Sequence, residues 1–175
     1  MRKFHLLSLA ILATLTATPA LAAKAPHMPI ARFNDLAQPL PKPYDEAADA
    51  KATDAAVAAA RARAKKAGKL LLVDLGGNWC LDCRILAGVM ETAPLRQWVA
   101  ARYEIVTVDV GRFNKNLQVP ARYGITDRLE GVPALLIVNP RTGKLVNAGR
   151  VTALADARSM SPQGLADWLA QWPAK

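Results

Sequence analysis

The two cysteines of the chain, Cys80 and Cys83, are separated by two residues and follow closely on an apolar run at residues 70–75. A Cys-x-x-Cys pair can act as a redox-active dithiol, supply half of a metal site or close a small structural loop. A zinc site needs further ligands at a comparable spacing, and His5 and His27 are isolated far upstream. Closing so short a loop removes little entropy from the unfolded chain. The pair therefore favours redox chemistry.

Residues 1–22 are predicted to be a cleaved signal peptide. Arg2 and Lys3 precede an apolar stretch at 4–17, and Ala20–Leu21–Ala22 has small residues at the spacing of a cleavage site. The apolar stretch is short for a membrane-spanning helix. We therefore expect export to the periplasm. Proteins of oxidising compartments ordinarily use cysteines in distant structural bridges, so a single close pair indicates a chemical role.

The charge of the chain predicts no nucleic-acid partner. The formal net charge is +9, of which Arg2 and Lys3 account for two. The densest basic cluster, at residues 61–66, lies at the end of an Ala-rich predicted helix. Positive charge is favourable there because it complements the helix dipole. The residues after the signal peptide suit a single domain, which we expect to be a monomer.

The pattern of apolar residues predicts an α/β domain over residues 45–175, preceded by a Pro-rich lead-in or linker at 23–44. The run of predicted helices and strands gives a mixed sheet with a parallel βαβ half, a ββα half and helices on both faces. The predicted elements are a helix at 45–67 ended by Gly68, strand 70–75, helices 80–91 and 94–101, strand 103–110, helix 116–123, strands 134–138 and 144–148, and a last helix from Ser161 and Pro162 to near 172.

Cys80 is predicted to lie in the first turn of a helix. The free backbone N–H groups and the positive end of the dipole there stabilise a thiolate, which is the reacting form of cysteine. Cys83 lies three residues on, on the same helical face. We therefore predict that Cys80 is the exposed nucleophile and that the more buried Cys83 resolves the mixed disulfide.

The segments Val73-Asp74-Leu75 and Trp79-Cys80-Leu81-Asp82-Cys83-Arg84 resemble the active-site region of the thioredoxin superfamily. In particular, they are similar to exported thioredoxin-like proteins and to the C-terminal periplasmic domain of transmembrane thiol:disulfide interchange proteins. The resemblance covers about residues 69–172. It implies a thioredoxin-like fold with an extra N-terminal helix and no cofactor other than the redox-active disulfide.

The resemblance also implies roles for residues outside the cysteine pair. Asp74 matches a buried acid that relays the proton of the resolving cysteine, and burial would raise its pKa; the alternative is a solvent-facing residue at a strand end. Val132-Pro133 matches a cis-proline that faces the dithiol and the substrate backbone; the alternative is an ordinary trans proline. Trp79 matches a substrate-facing tryptophan, with a place in the core as its alternative.

Three departures from thioredoxin itself are visible. Gly76 and Gly77 replace a bulky residue and a small one, which predicts open space beside the site. The loop at 126–131 is longer than its thioredoxin counterpart. The lysine that pairs with the buried acid is absent from strand residues 105–108, so Asp74 should be tuned mainly by desolvation.

The direction of electron flow is predicted from Asp82. A carboxylate between the cysteines opposes the Cys80 thiolate, which makes the disulfide less oxidising. We therefore expect a disulfide reductase that takes electrons from a membrane thiol donor and passes them to oxidised exported proteins. A disulfide-inserting oxidase is the first alternative. A copper-delivery module that uses the two thiolates with His27 and Met28 is the second, and a degenerate chaperone-like or structural module is the third.

Overall fold

The computed structural model describes residues 24–172. The predicted signal peptide therefore lies outside the described residues. Five helices and three strands are described within this range, and short 3-10 turns lie at Phe33–Asp35 and Ala157–Ser159. The main elements are α1 (Ala50–Ala67), β1 (Leu70–Gly76), α2 (Leu81–Glu91), α3 (Ala93–Arg102), β2 (Tyr103–Asp109), α4 (Gln118–Ala121), β3 (Ala134–Val138) and α5 (Pro162–Leu169). None of the helices within residues 24–172 has the length and apolar character needed to cross a membrane.

The sheet has β1 at its centre, in the order β2-β1-β3. β1 runs parallel to β2 and antiparallel to β3. All seven residues of β1 are buried, as expected of an apolar strand covered on both faces. One core cluster joins β1 to α2, α3 and α5, and a second joins it to α1 and the cysteines. The predicted α/β class and mixed sheet are confirmed.

The predicted strand at 144–148 is wrong. This segment makes only an isolated bridge, between Leu145 and Val138. The side chain of Asn147 takes the place of a neighbouring strand: its Oδ1 accepts from Ile137 N (2.9 Å) and its Nδ2 donates to Leu135 O (2.7 Å). Two backbone groups at the edge of β3 are thus satisfied by a buried amide, which has the same donor and acceptor groups as a peptide bond, while Leu135 N and Ile137 O bond to backbone atoms of Val151 and Val146.

The helix boundaries follow local capping groups. α1 begins at Ala50 instead of residue 45 because Asp49 caps it, with its Oδ1 2.7 Å from Ala52 N. It ends before Gly68, which has the left-handed conformation (φ 66°) expected of a C-terminal cap. Ser161 caps α5 as predicted, although the helix ends at Leu169. α4 spans only four residues instead of the predicted 116–123.

The Pro-rich lead-in is packed against the domain and is not a free linker. We refer to residues 24–44 as the strap. Met28 and Leu36 of the strap are buried in the core cluster that contains α2 and α5. The Arg84 side chain, on α2, donates hydrogen bonds to Leu40 O (2.8 Å) and Pro41 O (3.1 Å). Burial of the strap side chains therefore contributes to the same core as the helices.

Candidate active site

Cys80 and Cys83 form a disulfide at the start of α2, with their Cα atoms 5.3 Å apart. Cys80 is the N-cap of the helix, and its Sγ lies 3.1 Å from Cys83 N. An N-cap sulfur next to free backbone N–H groups is well placed to carry negative charge. Cys80 is 6% exposed and Cys83 is fully buried. Cys80 is thus the more accessible cysteine of the two, as predicted, but it is itself buried in the disulfide form and not exposed.

Asp74 is fully buried in the middle of β1. Burial raises the pKa of its carboxyl to about 7, and a hydrogen bond from Tyr44 acts in the opposite direction. The Tyr44 hydroxyl donates to Asp74 Oδ1 at 2.9 Å, whereas Oδ2 has no hydrogen-bond partner among the described residues. Thr107 is the residue beside Asp74 on β2. Because this neighbour on β2 is an uncharged threonine and not a lysine, desolvation is the main effect on the pKa of the Asp74 carboxyl.

Tyr44 is a site residue that the sequence reasoning missed. It comes from the end of the strap, and its burial next to Asp74 raises the pKa of its hydroxyl. A Cβ built on Gly76 would lie 2.6 Å from Tyr44 Cζ and 2.9 Å from Cys83 Sγ. The tyrosine ring and the sulfur therefore converge on the same point. Its only sequence signal is a tyrosine directly after a run of prolines.

The open space predicted at Gly76 and Gly77 is absent from the described site. Tyr44 fills the space beside Gly76, and a Cβ on Gly77 would lie 2.5 Å from Trp79 Nε1. Both glycines are in close contact with side chains that approach the backbone. Side chains from the strap and from the cysteine segment thus occupy the volume of the missing side chains.

Trp79 lies on the surface beside the disulfide and is 39% exposed. Its Nε1 donates to Gly111 O at 2.8 Å, and its ring meets the edge of Phe113 with centroids 6.1 Å apart. The Arg112 guanidinium lies 4.2 Å from the centroid of the Trp79 ring, and that of Arg128 lies 4.8 Å from the centroid of Phe113. Neither arginine forms an ion pair within residues 24–172. The site is therefore bordered by an aromatic surface with two unpaired cations.

The Val132–Pro133 segment faces the disulfide from the start of β3. The peptide bond between these residues is cis. Val132 O lies 3.4 Å from Cys80 Sγ, and Val132 is buried. The backbone before β3 is thus brought next to the more accessible sulfur.

Asp82, from which the sequence predicts the direction of electron flow, is buried and paired with a cation. It is 5% exposed, and Arg158 lies against it. Its Oδ1 accepts from Arg158 N at 2.9 Å, and its Oδ2 pairs with the Arg158 guanidinium at 3.1 Å. Much of the negative charge between the cysteines is therefore compensated by a residue from the turn before α5.

The described residues include no group of three or more His, Cys, Asp or Glu side chains that could hold a metal ion. Met28, a ligand considered for copper, is 3% exposed and packs in the core, while His27 is exposed. These two side chains are thus not gathered at the disulfide.

Comparison with known proteins agrees with this geometry. A family profile described as thioredoxin-like matches residues 51–140. The chain is 34% identical over 90 residues to the thiol:disulfide interchange protein DsbD 1 of Pseudomonas aeruginosa, a match that covers 50% of this chain and 14% of that protein. The chain therefore corresponds to only a small part of that relative's length.

A solved structure is similar over a larger share of the chain. The disulphide isomerase from Xylella fastidiosa Temecula1 superposes with a TM-score of 0.64 and 38% sequence identity. The match covers 75% of this chain and 97% of that chain. The cysteine pair, the sheet and the family match lead to one conclusion: the chain belongs to the thioredoxin-like family.

Proposed function

We propose that this protein is an exported thiol:disulfide oxidoreductase that reduces disulfides in other exported proteins. The observation that carries the proposal is the Cys80–Cys83 disulfide at the N-terminus of α2, on a sheet whose central strand contains the buried acid Asp74. The accessible sulfur can form a mixed disulfide, and a carboxyl with a pKa near 7 can exchange protons at neutral pH.

In the reduced protein, the Cys80 thiolate attacks one sulfur of a partner disulfide, and the S–S bond of the partner breaks. One partner sulfur leaves as a thiolate and takes a proton from solvent, while the other is joined to Cys80. Cys83 then gives its proton to the Asp74 carboxylate and attacks Cys80 Sγ. The second partner sulfur leaves and is protonated. The partner gains two electrons, and the Cys80–Cys83 disulfide that results must be reduced again by a thiol donor.

The reducing direction is supported by the two carboxylates near the cysteines. Asp74 in β1 and Asp82 in the first turn of α2 both oppose negative charge on sulfur. Arg158 offsets part of the Asp82 charge. A protein that does not strongly stabilise its thiolate has a low reduction potential. The relatives named as an interchange protein and an isomerase support the same class of chemistry.

A partner would meet the apolar surface formed by Trp79 and Leu81, which are 39% and 46% exposed. The Val132 backbone lies next to Cys80, and we propose that an extended segment of the partner docks beside it. Arg112 and Arg128 hold their guanidinium groups against aromatic rings beside this surface. We propose that these unpaired cations favour partners with acidic residues next to their disulfide.

Two measurements test the proposal. Equilibration in glutathione buffers should give a reduction potential below about −200 mV, whereas a disulfide-inserting oxidase would lie nearer −120 mV. A Cys83→Ser variant should accumulate mixed disulfides on Cys80 with exported proteins, and the Cys80→Ser, Cys83→Ser double variant should not. A potential close to that of an oxidase would overturn the reductase assignment, and a failure of the wild type to exchange disulfides would overturn the function itself.

A further inference from the structure

The Tyr44 side chain lies beside Asp74 and Cys83, the two residues proposed to exchange a proton. The side chain is 3% exposed, and the hydroxyl donates to Asp74 Oδ1 at 2.9 Å. Its ring lies against Gly76, on the same side as Cys83 Sγ. The hydroxyl therefore belongs to the group of atoms that includes the proton acceptor and the resolving cysteine.

Residues next to the site hold the end of the strap in place. The Asn78 side chain, two residues before Cys80, accepts from Tyr44 N (3.2 Å) and donates to Tyr44 O (2.9 Å). Thr107, beside Asp74 in the sheet, donates to Pro43 O at 2.8 Å. Together with the Arg84 contacts, these bonds connect the strap to the segment between β1 and α2, to β2 and to α2. The position of the Tyr44 ring is thus set by the elements that also position the site.

We propose that Tyr44 is a positioning residue for disulfide exchange, whose hydroxyl orients the Asp74 carboxyl and keeps it able to accept the proton of Cys83. The strap is then part of the active site and not only part of the core. This inference rests on the proposed function, because it assigns Tyr44 to the resolution step of that reaction.

Tyr44 can have this role because two opposing effects set the pKa of the Asp74 carboxyl. Burial favours the neutral carboxyl, whereas a donated hydrogen bond favours the carboxylate. The Tyr44 hydroxyl stays protonated, since burial and the neighbouring carboxylate both raise its pKa. It therefore acts as a fixed donor. Without it, Asp74 would remain protonated to a higher pH and would be a poorer acceptor near neutrality.

Other charged groups lie near the Tyr44–Asp74 pair. Asp109 at the end of β2 also acts on Tyr44, and it is itself paired with Lys115 at 3.1 Å. On the side of α2, α3 and β2, Asp74 lines a cavity of about 370 Å³. The charged residues that line the same cavity are Lys69, Glu91, Arg96 and Glu104. The test must therefore remove only the Tyr44 hydroxyl and leave these charges unchanged.

Tyr44→Phe removes the hydroxyl and keeps the ring. Tyr103→Phe is the matched control, because Tyr103 is also buried and its hydroxyl makes one hydrogen bond, to Leu169 O at 2.6 Å. Tyr103 lies at the first residue of β2, four positions before the neighbour of Asp74. Each reduced protein is mixed with oxidised glutathione, quenched with acid at set times and analysed by mass spectrometry. The Cys80–glutathione adduct reports the resolution step.

For Tyr44→Phe, we expect the adduct to accumulate and its resolution at pH 7 to slow about threefold or more. The inflection of the resolution rate should move up by about one pH unit. Tyr103→Phe should keep the wild-type profile. In an Asp74→Asn background, adding Tyr44→Phe should have no further effect on resolution.

An unchanged pH profile in Tyr44→Phe would overturn the positioning role, as would an equal shift in Tyr103→Phe or an additive effect in the double variant. These outcomes are distinct from failure of the proposed function. In that case the wild-type protein itself would neither reduce oxidised glutathione nor form the Cys80–Cys83 disulfide from the dithiol.

Discussion

The Asp82 carboxylate is buried against Arg158, which reaches it with both its backbone N–H and its guanidinium, at 2.9 Å and 3.1 Å. The residues are 76 positions apart in the chain. This pair places a compensated charge in the first turn of α2, between the two cysteines. The electrostatics of the disulfide therefore depend on the turn before α5 as well as on the Cys-x-x-Cys motif.

Substitutions of the two partners should shift the reduction potential in opposite directions. Asp82→Asn leaves the Arg158 cation without its partner beside the first turn of α2, which should stabilise the Cys80 thiolate and make the protein more oxidising. Arg158→Gln removes the cation and keeps the backbone N–H bond, so more of the Asp82 charge acts on the thiolate and the protein becomes more reducing. We expect shifts of about 10–30 mV in glutathione buffers. Shifts of the same sign in both variants would show that the pair does not tune the sulfur.

Asp74→Asn should make stability less dependent on pH. The folded-state pKa of Asp74 is raised to about 7, above that of an unfolded aspartate. The folded protein therefore prefers the protonated form, and this contribution to stability is lost as pH rises from about 4 to about 7. At pH 8 the variant should be more stable than the wild type by about 2–4 kcal/mol, and the gain should be small at pH 4. Urea denaturation at both pH values measures this, and a gain independent of pH would contradict it.

Gly76→Ala should disrupt the site. The added Cβ would lie 2.6 Å from Tyr44 Cζ and 2.9 Å from Cys83 Sγ, so the tyrosine or the sulfur must move. We expect a loss of about 1–3 kcal/mol in unfolding free energy and slower resolution of the glutathione adduct. Gly88→Ala is the matched control in α2, where the nearest atoms are Leu36 and Leu40 methyls at 3.4 Å. It should be neutral or stabilising by up to about 1 kcal/mol. Equal stability of the two variants would mean that the Gly76 contact is not restrictive.

Arg112→Gln and Arg128→Gln should reduce the preference for acidic partners. Both guanidinium groups are stacked on aromatic rings at the surface and are unpaired within residues 24–172. With a disulfide peptide flanked by aspartates, kcat/KM at low salt should fall about threefold to tenfold, and this effect should shrink at high salt. A peptide flanked by asparagines should show little change. Arg122→Gln changes the charge equally but removes a cation that is paired with Asp54, so an equal fall there would indicate a non-specific effect of net charge.

Features encoded in neighbouring residues were predictable from the sequence. The apolar run at 70–75 predicts a strand buried on both faces, as β1 is, and Gly68 predicts the end of α1. Both features were predictable because they depend on local composition and backbone freedom. The position of Cys80 at the start of α2 follows from the strand, the glycine-containing break and the helix in close succession. The roles of Asp74 and Pro133 were predictions from a family resemblance, and the structure places Asp74 in the core and the backbone before Pro133 beside Cys80.

Features that depend on distant partners were not predictable. Asn147 replaces a predicted strand because its amide bonds with two backbone groups of β3, at sequence separations of 10 and 12 residues. No periodicity in the sequence distinguishes a polar residue of this kind from one that faces solvent. The many prolines of the strap predict a linker, because its few apolar side chains that become buried do not stand out among them in the sequence.

The amino-acid sequence by itself determined the class of chemistry, since an isolated Cys-x-x-Cys pair between a buried strand and a helix leaves redox exchange as the favoured use. Only the tertiary structure decided what surrounds the pair. Tyr44 reaches Asp74 across 30 residues, and Arg158 reaches Asp82 across 76. Hydrogen bonding and charge compensation act through space, so the groups that tune a site are set by which side chains the fold brings together and not by their order along the chain.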